Sequence, residues 1–117
     1  MTLSAPSHLI DDALWSRSLT KDMASQLVGQ TLEFFYGDQH GQTHIAQLRV
    51  TSFHDTTKSG NRFAQFNLEF IGPREPQLPQ QTYRMRHIEW GDFAIGITAI
   101  GVNQAGNEYQ ACFSHEV

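Results

Sequence analysis

Apolar residues recur at every second position in four successive runs between residues 63 and 113. Phe66, Leu68 and Phe70 share one face, opposite Gln65, Asn67 and Glu69, while Tyr83, Met85 and His87 oppose Thr82, Arg84 and Arg86. Phe93, Ile95 and Ile97 oppose Ala94, Gly96 and Thr98, and Tyr109, Ala111 and Phe113 oppose Gln110, Cys112 and Ser114. In an extended chain successive side chains point to opposite faces, so this period predicts four half-buried strands. Gly72-Pro73 with Pro76, Trp90-Gly91-Asp92, and Asn103 to Asn107 with Gly106 separate the runs and supply the backbone angles that reversals need. The pattern reads as a β-meander.

Two strands precede it. Thr31 to Tyr36 is rich in β-formers, with Leu32 and Phe34 in phase and Phe35 out of phase. Residues 44 to 54 set Ala46, Leu48 and Val50 against Gln47, Arg49 and Thr51, and Gly37 to Gly41 turns the chain between these two strands. Residues 55 to 61 are a polar hairpin loop. Upstream, Thr20 suits an N-cap, Asp22 sits in a first turn where the helix dipole favours an anion, and Met23, Leu27 and Val28 form an apolar stripe. Gly29 suits the left-handed position after it, so a two-turn helix is predicted at about 21 to 28. Ile10 and Leu14, one helical turn apart, predict a short amphipathic turn or an arm on the body, and residues 1 to 8 read as a loose start interrupted by Pro6. The fold class is mainly β: one short N-terminal helix and about six antiparallel strands rolled into a small barrel or sandwich. The predicted domains are an arm over 1–18 and a single β-rich body over 19–117.

The outer face divides in two. Strands two to four present polar side chains, with Arg49, Arg84 and Arg86 as a candidate anion-binding face. Arginines so placed also pair across strands, and Glu69 is the expected partner. The remaining strands present Phe35, Ala94, Gly96, Thr98, Ile100 and Cys112, all small or apolar. A mid-strand glycine such as Gly96 is costly unless something approaches closely, so this patch is a candidate interface for the helix, a sister subunit or another protein.

Composition narrows the classes. With 117 residues, 39% apolar and 17% charged, the chain suits one globular domain, and no apolar run approaches the roughly 20 residues of a spanning helix. A net charge of −4 argues against a surface that tracks nucleic-acid phosphates. The first eight residues have neither a basic region nor an apolar stretch, which argues against a signal peptide, and a single cysteine suits a reducing cytoplasm.

Candidate chemistry is sparse. His40 and His44 have helical ligand spacing but lie in a glycine-rich hairpin, and no Cys pair or His-Glu-x-x-His occurs, so neither metal nor cofactor is expected. Cys112 and His115, three apart on a strand, face opposite ways. Asp11-Asp12 reads as a solvated cap, and Gly37-x-x-x-Gly41 lacks the Lys-Ser/Thr of a phosphate loop. His87, with Tyr83 and Tyr109, faces inward and could line a cavity or, alone, act as a base.

The run Phe66-x-Leu-x-Phe70-x-Gly72-Pro73, Leu78-Pro79-Gln80-x-Thr82-Tyr83-Arg84-x-x-His87, Gly91-x-Phe93 and Gly106-x-x-Tyr109-x-Ala111-x-Phe113 resembles a family of small uncharacterised bacterial domains, a domain of unknown function. Leu27-x-Gly29-Gln30-x-Leu32 resembles the way that family begins, so the likeness covers residues 19 to 113. The family carries no assigned activity, and the resemblance implies an assembly or accessory role beside phage-tail-like or collar proteins. Phe93-Ala-Ile-Gly-Ile-Thr-Ala-Ile departs from its usual Leu-Phe-Leu-x-Pro, with Ala99 where a proline is expected near an edge or bulge.

Three functions follow. The first is a non-catalytic binding or assembly domain that self-associates or takes a protein partner through the small-residue face. The alternative is a small-ligand carrier with a cavity near Tyr83, His87 and Tyr109, against which six strands argue because even eight-stranded barrels have narrow interiors. The third is an enzyme using His87.

Overall fold

The computed structural model describes residues 8–58, 60 and 62–116, so the stretch read as a loose start falls outside it except for His8. Two short helices, α1 (Asp12–Trp15) and α2 (Lys21–Ser25), precede β1 (Thr31–Gly37), β2 (Thr43–Asp55), β3 (Phe63–Gly72), β4 (Gln81–His87), β5 (Gly91–Asn103) and β6 (Gly106–Glu116). All pairings are antiparallel, and the sheet closes on itself in the order β1-β2-β3-β6-β5-β4.

Both helices start where a side chain can accept an otherwise orphaned N–H. Asp11 Oδ1 accepts from the Leu14 N–H at 2.8 Å, and Thr20 Oγ1 from the Met23 N–H at 3.1 Å. The predicted helix at 21 to 28 ends at Ser25, because the Gln26 and Leu27 N–H groups tighten onto Met23 O and Ala24 O. Gly29, at φ 89°, then turns the chain into β1 and donates its N–H to Val50 O. Leu27 is left in the core and Val28 outside.

The strand order differs from a simple meander at one joint. β3 lies beside β6 rather than β4, so two three-stranded meanders, β1-β2-β3 and β4-β5-β6, meet edge to edge at both sides. The β3–β4 connection, with Pro73, Pro76 and Pro79, cannot form a tight hairpin. It sinks Leu78 into the core, which Leu19, Ala24 and Leu27 also join.

The inward positions read from the alternation are the core. Phe34, Phe66, Phe70, Tyr83, Phe93 and Tyr109 are each no more than 1% exposed. Phe34 meets Phe70 edge-on at 5.5 Å and Tyr83 at 6.4 Å, the geometry that opposed ring quadrupoles favour. Each such side chain contributes about 1.5–3 kcal/mol by leaving water. Register shifts fall between Val50 and Ser52 and between Ala99 and Gly101, so β5 carries an irregularity where the expected proline is absent.

Candidate interaction surface

Two of the three arginines of the predicted anion face, Arg84 and Arg86, are committed to the fold. Asp92 accepts from Arg84 Nε at 2.6 Å and from Arg86 Nε and Nη2 at 2.7 and 3.0 Å. The partner is therefore Asp92 of the adjacent β5, not Glu69, because β3 borders β6 and leaves Glu69 beside His54 at 3.8 Å. Arg86, then Arg84, hold the Asp92 carboxyl below the usual carboxylate range against its partial burial, and Asp92 raises Arg86 in return. Arg84 Nη1 also donates to Leu9 O, and Arg17 donates to Trp90 O and Asp92 O, so this cluster ties the N-terminal arm to β4 and β5. Arg86 lies 4.9 Å from the centre of the Phe35 ring. Phe35, 4% exposed, is thus removed from the outer surface on which the sequence placed it. Arg49 stands apart on β2, in a groove of about 250 Å³ that Glu69 and Glu108 also line.

His87, Tyr83 and Tyr109 are inward, and their polar atoms are occupied. His87 Nδ1 accepts the Glu89 and Trp90 N–H groups, both at 3.1 Å, so the ring proton sits on Nε2 and is donated to Gln30 Oε1 at 3.0 Å. The ring stacks on Trp90 at 4.2 Å. Tyr83 Oη donates to Pro79 O at 2.6 Å, and Tyr109 Oη accepts the Leu78 N–H at 2.9 Å. Among the described residues no group of three His, Cys, Asp or Glu side chains is arranged to hold a metal ion, and no helix is long and apolar enough to cross a membrane.

Ala94, Gly96, Thr98 and Cys112 stand on the outer side where β5 and β6 part. Pairing of these strands runs from the Asn103–Gly106 hairpin to Thr98 opposite Gln110 and stops there. Beyond it β5 pairs only with β4 and β6 only with β3. Gly96, Thr98, Cys112 and Ser114 are exposed, and Ala94 is half-buried. A Cβ on Gly96 would meet only Thr82 Oγ1, at 3.6 Å, so no neighbour within the chain requires the glycine. Ile100 lies at the β5 irregularity, further along the same strand and 44% exposed.

Which backbone groups line the parting follows from the alternation of hydrogen-bonded and non-hydrogen-bonded pairs. Thr56 N–H donates to Gln65 O at 2.8 Å, so Gln65 faces β2 and its opposite number Ser114 turns its N–H and C=O away from β3. Cys112, two residues earlier, does the same. On β5 the equivalent edge belongs to Asp92, Ala94 and Gly96, and Arg17 covers its first carbonyl. Alongside, Asn67, Cys112 and Ser114 line a cleft of about 300 Å³, and the buried Asn67 Oδ1 has no hydrogen-bond partner. The sequence pointed to the small side chains, but the open edge beneath them depends on where two distant strands separate.

Fold and site together define a small, mainly β domain whose inward groups His87, Tyr83 and Tyr109 are hydrogen-bonded within the chain and whose exposed backbone edge faces outward. Its sequence matches the domain of unknown function DUF6916 over residues 19–113, and the chain belongs to that family. No curated protein and no solved structure matches it.

Proposed function

We propose that this is a non-catalytic binding or assembly domain, acting in the cytoplasm, whose contact surface is the outer side of β5 and β6 around Gly96, Thr98 and Cys112. The observation that carries the reading is the separation of β5 from β6 beyond Thr98, which leaves strand edges under small exposed side chains. Small residues let another backbone come close, and unpaired ladder groups give it something to bond. The inward polar groups point the same way, since His87, Tyr83 and Tyr109 are each engaged by neighbours within the chain. The family resemblance suggests a setting among phage-tail-like or collar-type assemblies.

The test is native mass spectrometry of protein gently purified from its own cells, beside Gly96→Arg. Association with itself or a partner is expected in the wild type and lost in the variant, with an unchanged melting temperature. A wild-type monomer without any recovered partner would refute the reading.

A further inference from the structure

A sheet edge invites another strand because half of its N–H and C=O groups lack ladder partners. Stretches of edge outside the ring's pairings include ones on β2, β5 and β6. Beyond Arg49, Val50 donates to Gln30 O and accepts from Gly29, α2 packs against the end of β2, and Lys21 Nζ reaches Asp55 at 3.1 Å. At β5, Arg17 takes the carbonyls of Trp90 and Asp92. Ala94 and Gly96 leave the rest of the β5 edge open, and among the described residues no such contact is made with the β6 edge at Cys112 and Ser114. Among the described residues α1 packs on β5 and α2 on β2 and β3, and neither reaches β6. The edge there consists of the N–H and C=O groups of Cys112 and Ser114.

We propose that a second copy of this chain adds its own β6 to that edge, antiparallel, about a two-fold axis passing Phe113. Cys112 of each copy then exchanges hydrogen bonds with Ser114 of the other, and the β2-β3-β6 sheet continues into that of the second copy. This rests on the binding-domain reading and names its partner.

Four features favour a second copy over a foreign peptide. An antiparallel edge is its own complement under a two-fold axis, because each donor on one strand meets an acceptor on the other. A two-fold also sets like beside like, so a charged edge would repel itself, whereas Gln110, Cys112 and Ser114 are uncharged. Lysine and proline, the usual guards of an exposed edge, are missing from Ala111 to Ser114. Both strands are also already held extended by β3, so pairing orders less chain than capture of a free peptide would.

Sedimentation equilibrium of the full chain, from micromolar to near-millimolar concentration, tests this beside Ser114→Pro. Proline at 114 removes an N–H that β3 does not use, so the β3–β6 ladder keeps its bonds while the edge loses a donor. A concentration-dependent wild-type dimer is expected, with a dissociation constant raised about tenfold or more in the variant at unchanged melting temperature. If that variant misfolds, Cys112→Lys, which puts like charges across the axis at an exposed position, should weaken the dimer comparably at low salt and regain it at high salt. A wild type that is monomeric throughout overturns the proposal, as does a dimer indifferent to whichever variant folds. A monomer that still co-purifies a partner in a manner sensitive to Gly96→Arg would sink self-pairing and leave the binding-domain reading standing.

Discussion

Tyr83 Oη donates a 2.6 Å hydrogen bond to Pro79 O, four residues back, fastening the proline-rich β3–β4 connection to the start of β4. Burial, with a smaller contribution from Tyr109, pushes the Tyr83 phenol up to about 12 from 10.0.

Because the folded state holds this proton more tightly than the unfolded chain, the contribution is complete below pH 10 and is lost as pH rises from 10 to about 12. Urea unfolding should show wild-type stability falling by roughly 2–3 kcal/mol across that window. Tyr83→Phe should flatten that fall and cost about 1 kcal/mol at pH 7 through the lost hydrogen bond. Equal alkaline slopes in the two proteins would contradict the assignment.

Asp92 works at the opposite end of the scale. Its folded value is depressed by Arg86 and Arg84, so its contribution is present above the ordinary carboxylate value of 3.8 and is lost as pH falls below it. Asp92→Asn should reduce stability at pH 7 by on the order of 1–2 kcal/mol, a figure discounted for the half-exposed Arg86. The same variant should show a shallower loss of stability below pH 4, measured by denaturant midpoints, while its oligomeric state stays unchanged.

His87 is a fastener for the β4–β5 turn. Replacing it by Ala strands two backbone N–H groups and Gln30 Oε1, at about 2 kcal/mol in denaturant unfolding. Amide exchange at Glu89 and Trp90 should accelerate in step. A variant with full stability and unchanged exchange would return His87 to the list of candidate bases.

The alternation of Phe66, Leu68 and Phe70, and of Phe93, Ile95 and Ile97, was legible because facing is a local property: every second side chain of a strand shares a side whatever lies next to it. The N-cap at Thr20 and the turn at Gly29 were legible for the same reason, since each depends on a few neighbouring residues. Arg84 and Arg86 were visible as a pair, yet their partner was misread. Glu69 belongs to a strand that adjoins β6, and the carboxylate in reach is Asp92, just across the β4–β5 turn. Arg17 showed no signal at all, because its carbonyl partners lie more than seventy residues away.

By itself, then, the sequence determined six antiparallel strands, their inward faces, the capped helix and a patch of small residues on β5 and β6. Only the tertiary structure decided that β3 joins β6, that Phe35 lies beneath Arg86, and that β6 has an open edge at Cys112 and Ser114. The physical reason is one of range. Side-chain alternation is written residue by residue along the chain, whereas strand neighbours are chosen by contacts between distant segments and by what the proline-rich connection allows.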